Sequence, residues 1–148
     1  MTAREILNRK GRKVFSITDN ATVSEAVLEL VNNKIGLLIV KTTSGTIAGV
    51  ISERDIIRKC IHPKKDPTQI RAGDIMTPRE NIVAASEGDD TQSLINTMTQ
   101  KKIRHLPIFK GTELSGVISI GDIIKNMLEI KDYEIKTLLD YISGKYPG

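Results

Sequence analysis

The fold of this chain is decided by the stretch Gly49-Val50-Ile51-Ser52-Glu53-Arg54-Asp55-Ile56-Ile57, because it returns as Gly116-Val117-Ile118-Ser119-Ile120-Gly121-Asp122-Ile123-Ile124. Seven of the nine positions are identical between the two copies. In each copy a β-branched run predicts a short strand, and a Ser follows where that strand ends. A Ser at the N-cap and an Asp three residues later are typical of a helix start, and the two Ile residues supply the buried face of that helix. Each copy therefore predicts a corner at which a strand turns directly into a helix.

The same corner can also bind a nucleotide. Free backbone N–H groups at a helix start, together with the hydroxyls of Ser52 and Ser119, suit a phosphate group. The carboxylates of Asp55 and Asp122 can accept hydrogen bonds from the two hydroxyls of a ribose. For one copy alone, helix capping explains these residues at least as well as binding does. Because the corner is repeated, we interpret both copies as candidate nucleotide sites.

The repeated corner resembles the signature of the CBS domain family, which is named after cystathionine β-synthase. That signature is a Gly, two or three apolar or small residues, a Ser or Thr, two variable residues and an Asp, and both copies match it. The resemblance covers about residues 14–128 of the chain. It implies an α/β (α+β) fold of two tandem CBS motifs, each strand–helix–strand–strand–helix, that form a pseudo-twofold pair called a Bateman module. It also implies two equivalent clefts, an adenosyl ligand and assembly of the pair into a dimer.

We divide the chain into four parts on these grounds. Residues 1–13 are an N-terminal helical segment, residues 14–66 the first motif, residues 67–129 the second motif, and residues 130–148 a C-terminal helix and tail. Capping residues, apolar spacing and turn residues predict the elements within these parts. We expect strands at residues 14–17, 37–41, 47–52, 82–84 and 104–108, and helices at residues 3–9, 23–32, 55–61, 68–72, 91–100, 122–129 and 133–143.

Composition excludes several classes of protein. Hydrophobic residues make up 39% and charged residues 27% of the chain, which is ordinary for a soluble globular protein. No apolar run approaches 18 residues and the N-terminus lacks a signal-peptide pattern, so we expect neither a membrane span nor secretion. Cys60 is the single cysteine, which rules out an internal disulfide and indicates a buried, inert thiol in the cytoplasm. With two Phe, three Tyr and no Trp, the chain offers few rings on which nucleic-acid bases could stack.

Catalytic chemistry has little support in the sequence. The chain has two histidines and one cysteine, and neither a zinc-ligand spacing nor a Walker-type loop nor a Gly-x-Ser-x-Gly motif is present. His62 lies beside Pro63 in a predicted turn, where a solvated side chain is expected. We therefore predict that the protein is not an enzyme, and that it has no catalytic residues, no metal site and no catalytic cofactor.

Basic residues near both corners favour a phosphorylated ligand. Arg54 lies inside the first copy, and Arg104 and His105 match family positions that line the cleft. Arg is suited to forked contacts with phosphate oxygens. The structural alternatives are a solvated position for each Arg and a partly buried, hydrogen-bonded state for His105. The positive charge favours AMP, ATP or an NAD-type nucleotide over S-adenosylmethionine, whose sulfonium is itself cationic.

Three further features bear on the shape and strength of the two sites. Gly121 would let a ligand approach closely, whereas Glu53 at the first corner could repel a polyphosphate, so equal affinity is not expected. Pro107 could form a wall for the adenine ring. Three isoleucines are further candidates for that wall, although core packing explains them better: Ile39, Ile51 and Ile118.

The leading hypothesis is a stand-alone regulatory or sensor module that binds an adenine nucleotide as a regulatory ligand and signals to an unknown effector protein. The alternatives are a structural or protein-interaction module with vestigial sites, and a nucleic-acid binder that uses its basic N-terminus. We also expect a homodimer, because many apolar helix positions need a neighbour. These positions are Ala26, Val27, Leu30, Leu94, Ile95, Met98, Ile135, Leu138, Leu139 and Ile142.

Overall fold

The computed structural model describes residues 1–143, and these fall into two compact units. The first unit comprises residues 13–84, and the second unit comprises residues 1–12 together with residues 85–143 of the described chain. Each unit contains one copy of the repeated corner. Both units combine a sheet with helices, so the predicted α/β fold class is confirmed. The predicted tail at residues 146–148 lies outside the described residues.

The elements follow the predicted order of strand, helix, strand, strand and helix in each half of the chain. In chain order they are α1 (Ala3–Lys10), β1 (Ser16–Thr18), α2 (Val23–Asn33), β2 (Leu37–Lys41), β3 (Ile47–Ser52), α3 (Glu53–Ile56), a π-helical turn (Ile57–Ile61), α4 (Ala72–Ile75), β4 (Thr77–Pro78), a 3₁₀ turn (Arg79–Asn81), β5 (Ala85–Ser86), α5 (Thr91–Lys101), β6 (His105–Lys110), β7 (Glu113–Ser119) and α6 (Ile120–Ile142).

The strand register places each corner beside the start of an inner strand. In the first unit β1 is parallel to β2, β2 is antiparallel to β3, and β4 pairs with the far edge of β3. In the second unit β5 is parallel to β6, which is antiparallel to β7. Ser52 is opposite Leu37, and Ser119 is opposite His105. The residue that starts β2 or β6 therefore lies next to the Ser of the corner.

Apolar faces of the helices pack on the sheet of their own unit. The core of the first unit contains Val23, Ala26, Leu30, Leu38, Val40, Ile51, Ile56, Cys60, Ala72 and Ile75. Buried residues of the second unit include Ile6, Leu7, Leu94, Met98, Leu106, Ile108, Ile118 and Ile123. Cys60 is buried with a free thiol, as its position after an apolar helix pattern predicts.

The two units exchange the segments that precede their motifs. Helix α1 comes before the first motif but packs on β7 and α6 of the second unit. Helix α4 and strand β4 come before the second motif but belong to the first unit, where β4 extends the sheet. In the compact units each motif is therefore grouped with a segment from elsewhere in the chain.

Several predicted elements differ from the structure. The helix expected at residues 68–72 is wrong: Thr68 donates to Asp66 Oδ1 from its backbone N–H (2.9 Å) and its hydroxyl (2.7 Å), which forms a turn instead. The helix begins only at Ala72, where Asp74 accepts from the Arg71 N–H.

Strands expected at residues 14–17 and 82–84 lie one to three residues later, where pairing with the neighbouring strand begins. The two C-terminal helices are one helix, α6, because no Gly or Pro interrupts residues 122–142.

The exposed apolar residues are only partly those expected. Four of the apolar positions expected to need a partner are already buried in their own chain, so that part of the prediction is wrong: Ala26, Leu30, Leu94 and Met98. Apolar side chains that remain exposed on α2 are Val27, Leu28 and Val31. Those on α6 are Ile124, Met127, Leu128, Ile130, Tyr133, Ile135, Leu138, Leu139, Tyr141 and Ile142.

Substituting the Gly that opens each copy should have unequal effects on stability. A Cβ at Gly49 would overlap the backbone carbonyl of Thr77 in β4, whereas a Cβ at Gly116 would lie 2.7 Å from the terminal Cδ2 of Leu7, a side chain that can turn. We expect Gly49→Ala to lower the free energy of unfolding by about 2–3 kcal/mol, the range of overpacking in a rigid site. For Gly116→Ala we expect a loss below about 1 kcal/mol, since Ala also restricts the unfolded chain. Urea denaturation of both variants tests this, and equal losses would contradict it.

Candidate functional site

The first corner is a helix cap in which Ser52 and Asp55 bind each other. Ser52 ends β3 with extended backbone and is the N-cap of α3. The Asp55 N–H donates to Ser52 Oγ (3.2 Å), and the Ser52 N–H donates to Asp55 Oδ2 (3.1 Å). This reciprocal pair satisfies two backbone donors that a helix start otherwise leaves open. The capping interpretation of the sequence is therefore realised in the structure.

The Asp55 carboxylate has two further partners in the first unit. The hydroxyl of Thr77 in β4 lies 3.3 Å from both carboxylate oxygens, and Lys59 Nζ lies 3.2 Å from Oδ1. Lys59 also donates to the carbonyl oxygen of Ile75 (3.1 Å). A ribose that binds Asp55 must share this carboxylate with these donors or displace one of them.

The second corner repeats the cap with tighter geometry. The Ser119 N–H donates to Asp122 Oδ2 (2.8 Å), and the Asp122 N–H donates to Ser119 Oγ (3.1 Å). Lys10, at the end of α1, donates to Asp122 Oδ2 (2.6 Å) and to the carbonyl oxygen of Val117 (2.7 Å).

The ion pair controls the ionisation of Asp122. Burial raises the pKa of this carboxyl, but the hydrogen bonds from Lys10 and Ser119 and the charge of Lys10 outweigh burial. The pKa of Asp122 therefore lies below its ordinary value, and the carboxylate is ionised at neutral pH. Since the folded-state pKa is lowered, the contact stabilises the fold at neutral pH and this stability is lost as the pH falls through the lowered pKa.

Sequence reasoning missed Lys10, Lys59 and Thr77 as neighbours of the two carboxylates. Lys59 could have been found, because it lies four residues after Asp55 on one helical face, where opposite charges meet. Thr77 could not, since β4 was not predicted. Lys10 is 112 residues from Asp122 in sequence, and no local pattern reveals such a contact.

The basic residues predicted for the second site do lie beside the second corner. Arg104 precedes β6 and its carbonyl oxygen accepts from the Ile120 N–H (2.9 Å) at the first position of α6. His105 is half-buried opposite Ser119, while the Arg104 side chain is exposed. The equivalent positions at the first corner are Gly36 and Leu37, which carry no charge.

The remaining candidates differ in their access to solvent. Arg54 is exposed in the first turn of α3, and Gly121 is exposed in the first turn of α6. Pro107 is buried in the middle of β6. The three isoleucines offered as adenine walls are fully or almost fully buried, so core packing is the role that the structure gives them: Ile39, Ile51 and Ile118.

The comparison with protein families identifies the fold. The family model for the CBS domain matches residues 3–62 and again residues 72–129. The chain belongs to the CBS domain family. The first match begins at residue 3, so α1 is part of the CBS pattern although it packs in the second unit.

CBS relatives and solved structures cover most of the chain. CBS domain-containing protein CBSX3, mitochondrial, from Arabidopsis thaliana is 29% identical over 152 residues, which span 98% of this chain and 73% of the relative. A CBS-domain protein from Agrobacterium tumefaciens superposes with a TM-score of 0.79 at 30% identity, covering 86% of this chain and 99% of that one. A CBS domain protein from Pyrobaculum aerophilum, solved in complex with AMP, has a TM-score of 0.70 at 28% identity and covers 82% and 89%.

CBS domain proteins are generally non-catalytic regulatory modules. Within residues 1–143, no three or more His, Cys, Asp or Glu side chains are grouped so that they could hold a metal ion. No helix in that range has both the length and the hydropathy needed to cross a membrane.

Proposed function

We propose that this CBS pair is a non-catalytic regulatory module that binds an adenine nucleotide at its corners. The observation that carries the proposal is the repeated constellation of a capping Ser, a carboxylate and a nearby cation at both corners. Ser52 and Ser119 would contact phosphate, and Asp55 and Asp122 would accept from the ribose hydroxyls. The complex of the Pyrobaculum protein with AMP supports this ligand class.

Several cationic groups favour a ligand that carries phosphate. Arg54 is exposed at the first corner, and Arg104 and His105 adjoin the second. We therefore propose AMP, ATP or an NAD-type nucleotide as the regulatory ligand, in preference to S-adenosylmethionine. Gly121 is exposed and presents no side chain to a ligand at the second corner, and Pro107 is buried in β6. The buried free thiol of Cys60 supports a reducing compartment, for which we propose the cytoplasm.

A module without ligands is the second candidate function. It is favoured by the partners that both carboxylates already have, because Asp55 and Asp122 each accept from the backbone N–H of their Ser and each pair with a Lys ammonium. In that case the corners would be structural caps only, and the protein would act through its surfaces alone.

A nucleotide panel separates these two candidates. We expect AMP, ATP or NAD to raise the melting temperature, with a gain of about 2.7 kcal/mol in stability at about 100 times the dissociation constant. S-adenosylmethionine is included for comparison, because it is an adenosyl compound with a positive charge where the nucleotides carry negative phosphate. If no nucleotide changes the melting temperature or gives a calorimetric signal, the ligand-free module is the better description.

Ligand charge gives a second test. AMP should bind more tightly than adenosine, and its affinity should fall as salt is added, because hydrogen bonds between Arg and phosphate are charge-assisted. Competition calorimetry at about 50 mM and about 300 mM salt measures both effects, because the added salt screens the attraction between the cationic side chains and the phosphate. Equal binding of adenosine and AMP would show that Arg54, Arg104 and His105 do not meet a phosphate.

We also propose that the protein is a homodimer held by α6, through which occupancy could be passed to an effector protein. Five exposed apolar residues of α6 are spaced as the seam of a coiled coil, and we call them the C-terminal stripe: Ile124, Leu128, Ile135, Leu138 and Ile142. Such a heptad pattern suits a second helix of the same kind. The seventh-residue spacing also places Lys131 within the seam, between Leu128 and Ile135.

Lys131 favours an antiparallel pairing of the two helices. In a parallel pair Lys131 would face Lys131 of the partner subunit, which places like charges together. In an antiparallel pair centred near residue 133, Leu128 faces Leu138 of the partner subunit and Lys131 faces Ile135 of the partner subunit. The carboxylate of Glu134, already 3.6 Å from Lys131 Nζ in the same chain, stays near this charge. The antiparallel arrangement therefore avoids the repulsion.

A further inference from the structure

Both signature carboxylates are paired with a lysine ammonium, but the two lysines come from different parts of the chain. At the first corner Lys59 stands four residues after Asp55 on the same helical segment. At the second corner the residue four after Asp122 is Asn126, which is 6% exposed and donates its Nδ2 to the Asp122 carbonyl oxygen (2.7 Å). The ammonium is supplied there by Lys10 of α1 instead.

The backbone around Lys10 is fixed on both sides of this residue. On the N-terminal side of Lys10, Thr2 caps helix α1 and Leu7 is fully buried against Gly116. After Lys10, Arg12 Nη1 lies 2.7 Å from Oε1 of Glu87, a residue that is 6% exposed. The Lys10 side chain is therefore presented to Asp122 by a fixed backbone and does not merely sample the carboxylate from solvent.

The two ion pairs differ in strength. Lys10 Nζ and Asp122 Oδ2 are 2.6 Å apart, whereas Lys59 Nζ and Asp55 Oδ1 are 3.2 Å apart. The Lys10 side chain is 32% exposed and the Lys59 side chain 45% exposed. Since short, partly desolvated charged hydrogen bonds are the stronger ones, the Lys10–Asp122 pair is the stronger of the two ion pairs.

We propose that Lys10 is a specificity-determining residue of the second site, because its ammonium holds Asp122 Oδ2 and competes with the ribose hydroxyls for that carboxylate. This inference rests on the proposed function. It makes the second site prefer a ligand that carries both ribose hydroxyls, which can replace the lysine, over a ligand that lacks them.

The test measures the second site alone, in the Asp55→Ala background, by calorimetry with AMP and with 2′,3′-dideoxy-AMP. Lys10→Met removes the ammonium but keeps an unbranched apolar stem. We expect it to tighten AMP binding about tenfold, which corresponds to about 1.4 kcal/mol, and to leave dideoxy-AMP binding unchanged. Lys10→Arg should bind AMP as Lys10 does. The control is Lys110→Met, which removes an exposed charge at the end of β6, opposite Glu113 and at the other end of the strand pair from Ser119.

Each other outcome overturns the inference. Unchanged or weaker AMP binding in Lys10→Met shows that the ammonium does not compete with the ligand. Equal changes for AMP and dideoxy-AMP show a general charge effect rather than competition for the diol. If the wild-type protein binds AMP but the Asp55→Ala protein does not with or without Lys10, the inference fails while the proposed function stands at the first site. If the wild-type protein binds no nucleotide, the proposed function fails as well.

Discussion

Replacing Asp55 and Asp122 together by Ala should weaken AMP binding by about 100-fold or more while the protein stays folded. In the proposed sites each carboxylate accepts from two ribose hydroxyls, and hydrogen bonds to charged groups contribute about 1.5–3 kcal/mol each. The structural loss is smaller. Each Asp caps a helix and forms one partly exposed ion pair, so we expect about 1–2 kcal/mol of stability to be lost per site. Calorimetry and urea denaturation of the same samples measure the two losses separately.

A matched control for this variant is Asp66→Ala. Asp66 is exposed and accepts two hydrogen bonds from Thr68 in the turn after the first corner, so it is a capping carboxylate with no place in either site. We expect its loss to leave AMP affinity unchanged. Wild-type affinity in the Asp55→Ala, Asp122→Ala protein would reject the ribose assignment, and single variants would then show whether either corner binds at all.

Leu138→Lys should convert the proposed dimer into a monomer. Leu138 is 59% exposed in the single chain, so the substitution should change the stability of the monomer by no more than about 0.5 kcal/mol. In the paired helices the new ammonium would be buried without a partner, which costs about 3 kcal/mol or more and raises the dissociation constant more than about 100-fold. Light scattering at micromolar concentration measures the change, with 16.4 kDa expected for the monomer.

The control for this prediction is Lys136→Ala, which changes α6 outside the C-terminal stripe and should leave the dimer intact. Cysteine cross-linking tests the orientation, since the natural thiol at Cys60 is buried. A mixture of Leu128→Cys and Leu138→Cys chains should form a disulfide between unlike chains. A disulfide between two Leu128→Cys chains would show a parallel pair, and a wild-type protein of monomer mass would refute the dimer.

Local chemistry explains what could be predicted from the sequence. The corner at Ser52 and its copy at Ser119 were predictable because a Ser, two residues and an Asp form the same capping box wherever a strand ends in a helix. The order of strands and helices along each half followed from capping residues and apolar spacing, and the α/β class from the family resemblance. The turn at Asp66 was not predicted, because an Asp-Pro pair suits a helix start as well as the side-chain turn that Thr68 stabilises.

The parts that could not be predicted depend on contacts between distant residues. Nothing in Lys10 or its neighbours indicates that its ammonium lies on Asp122, since the contact requires α1 to pack on a strand formed 100 residues later. The exposure of Val27 and Val31 beside the buried Ala26 and Leu30 depends likewise on what packs against α2. The periodicity of the sequence shows that such a helix has an apolar face, but not how much of that face the rest of the chain buries.

The exchange of α1 between the units has a consequence for how the protein folds during synthesis. The first unit is one continuous segment, residues 13–84, and can complete its contacts as soon as that segment has left the ribosome. The second unit joins residues 1–12 to a segment that begins at residue 85, through contacts such as Arg4 with Glu87 and Lys10 with Val117, which are 83 and 107 residues apart. Because closing long loops slows folding, helix α1 is made before the first unit but finds its place only after it, and until then its buried residues Ile6 and Leu7 are exposed to chaperones.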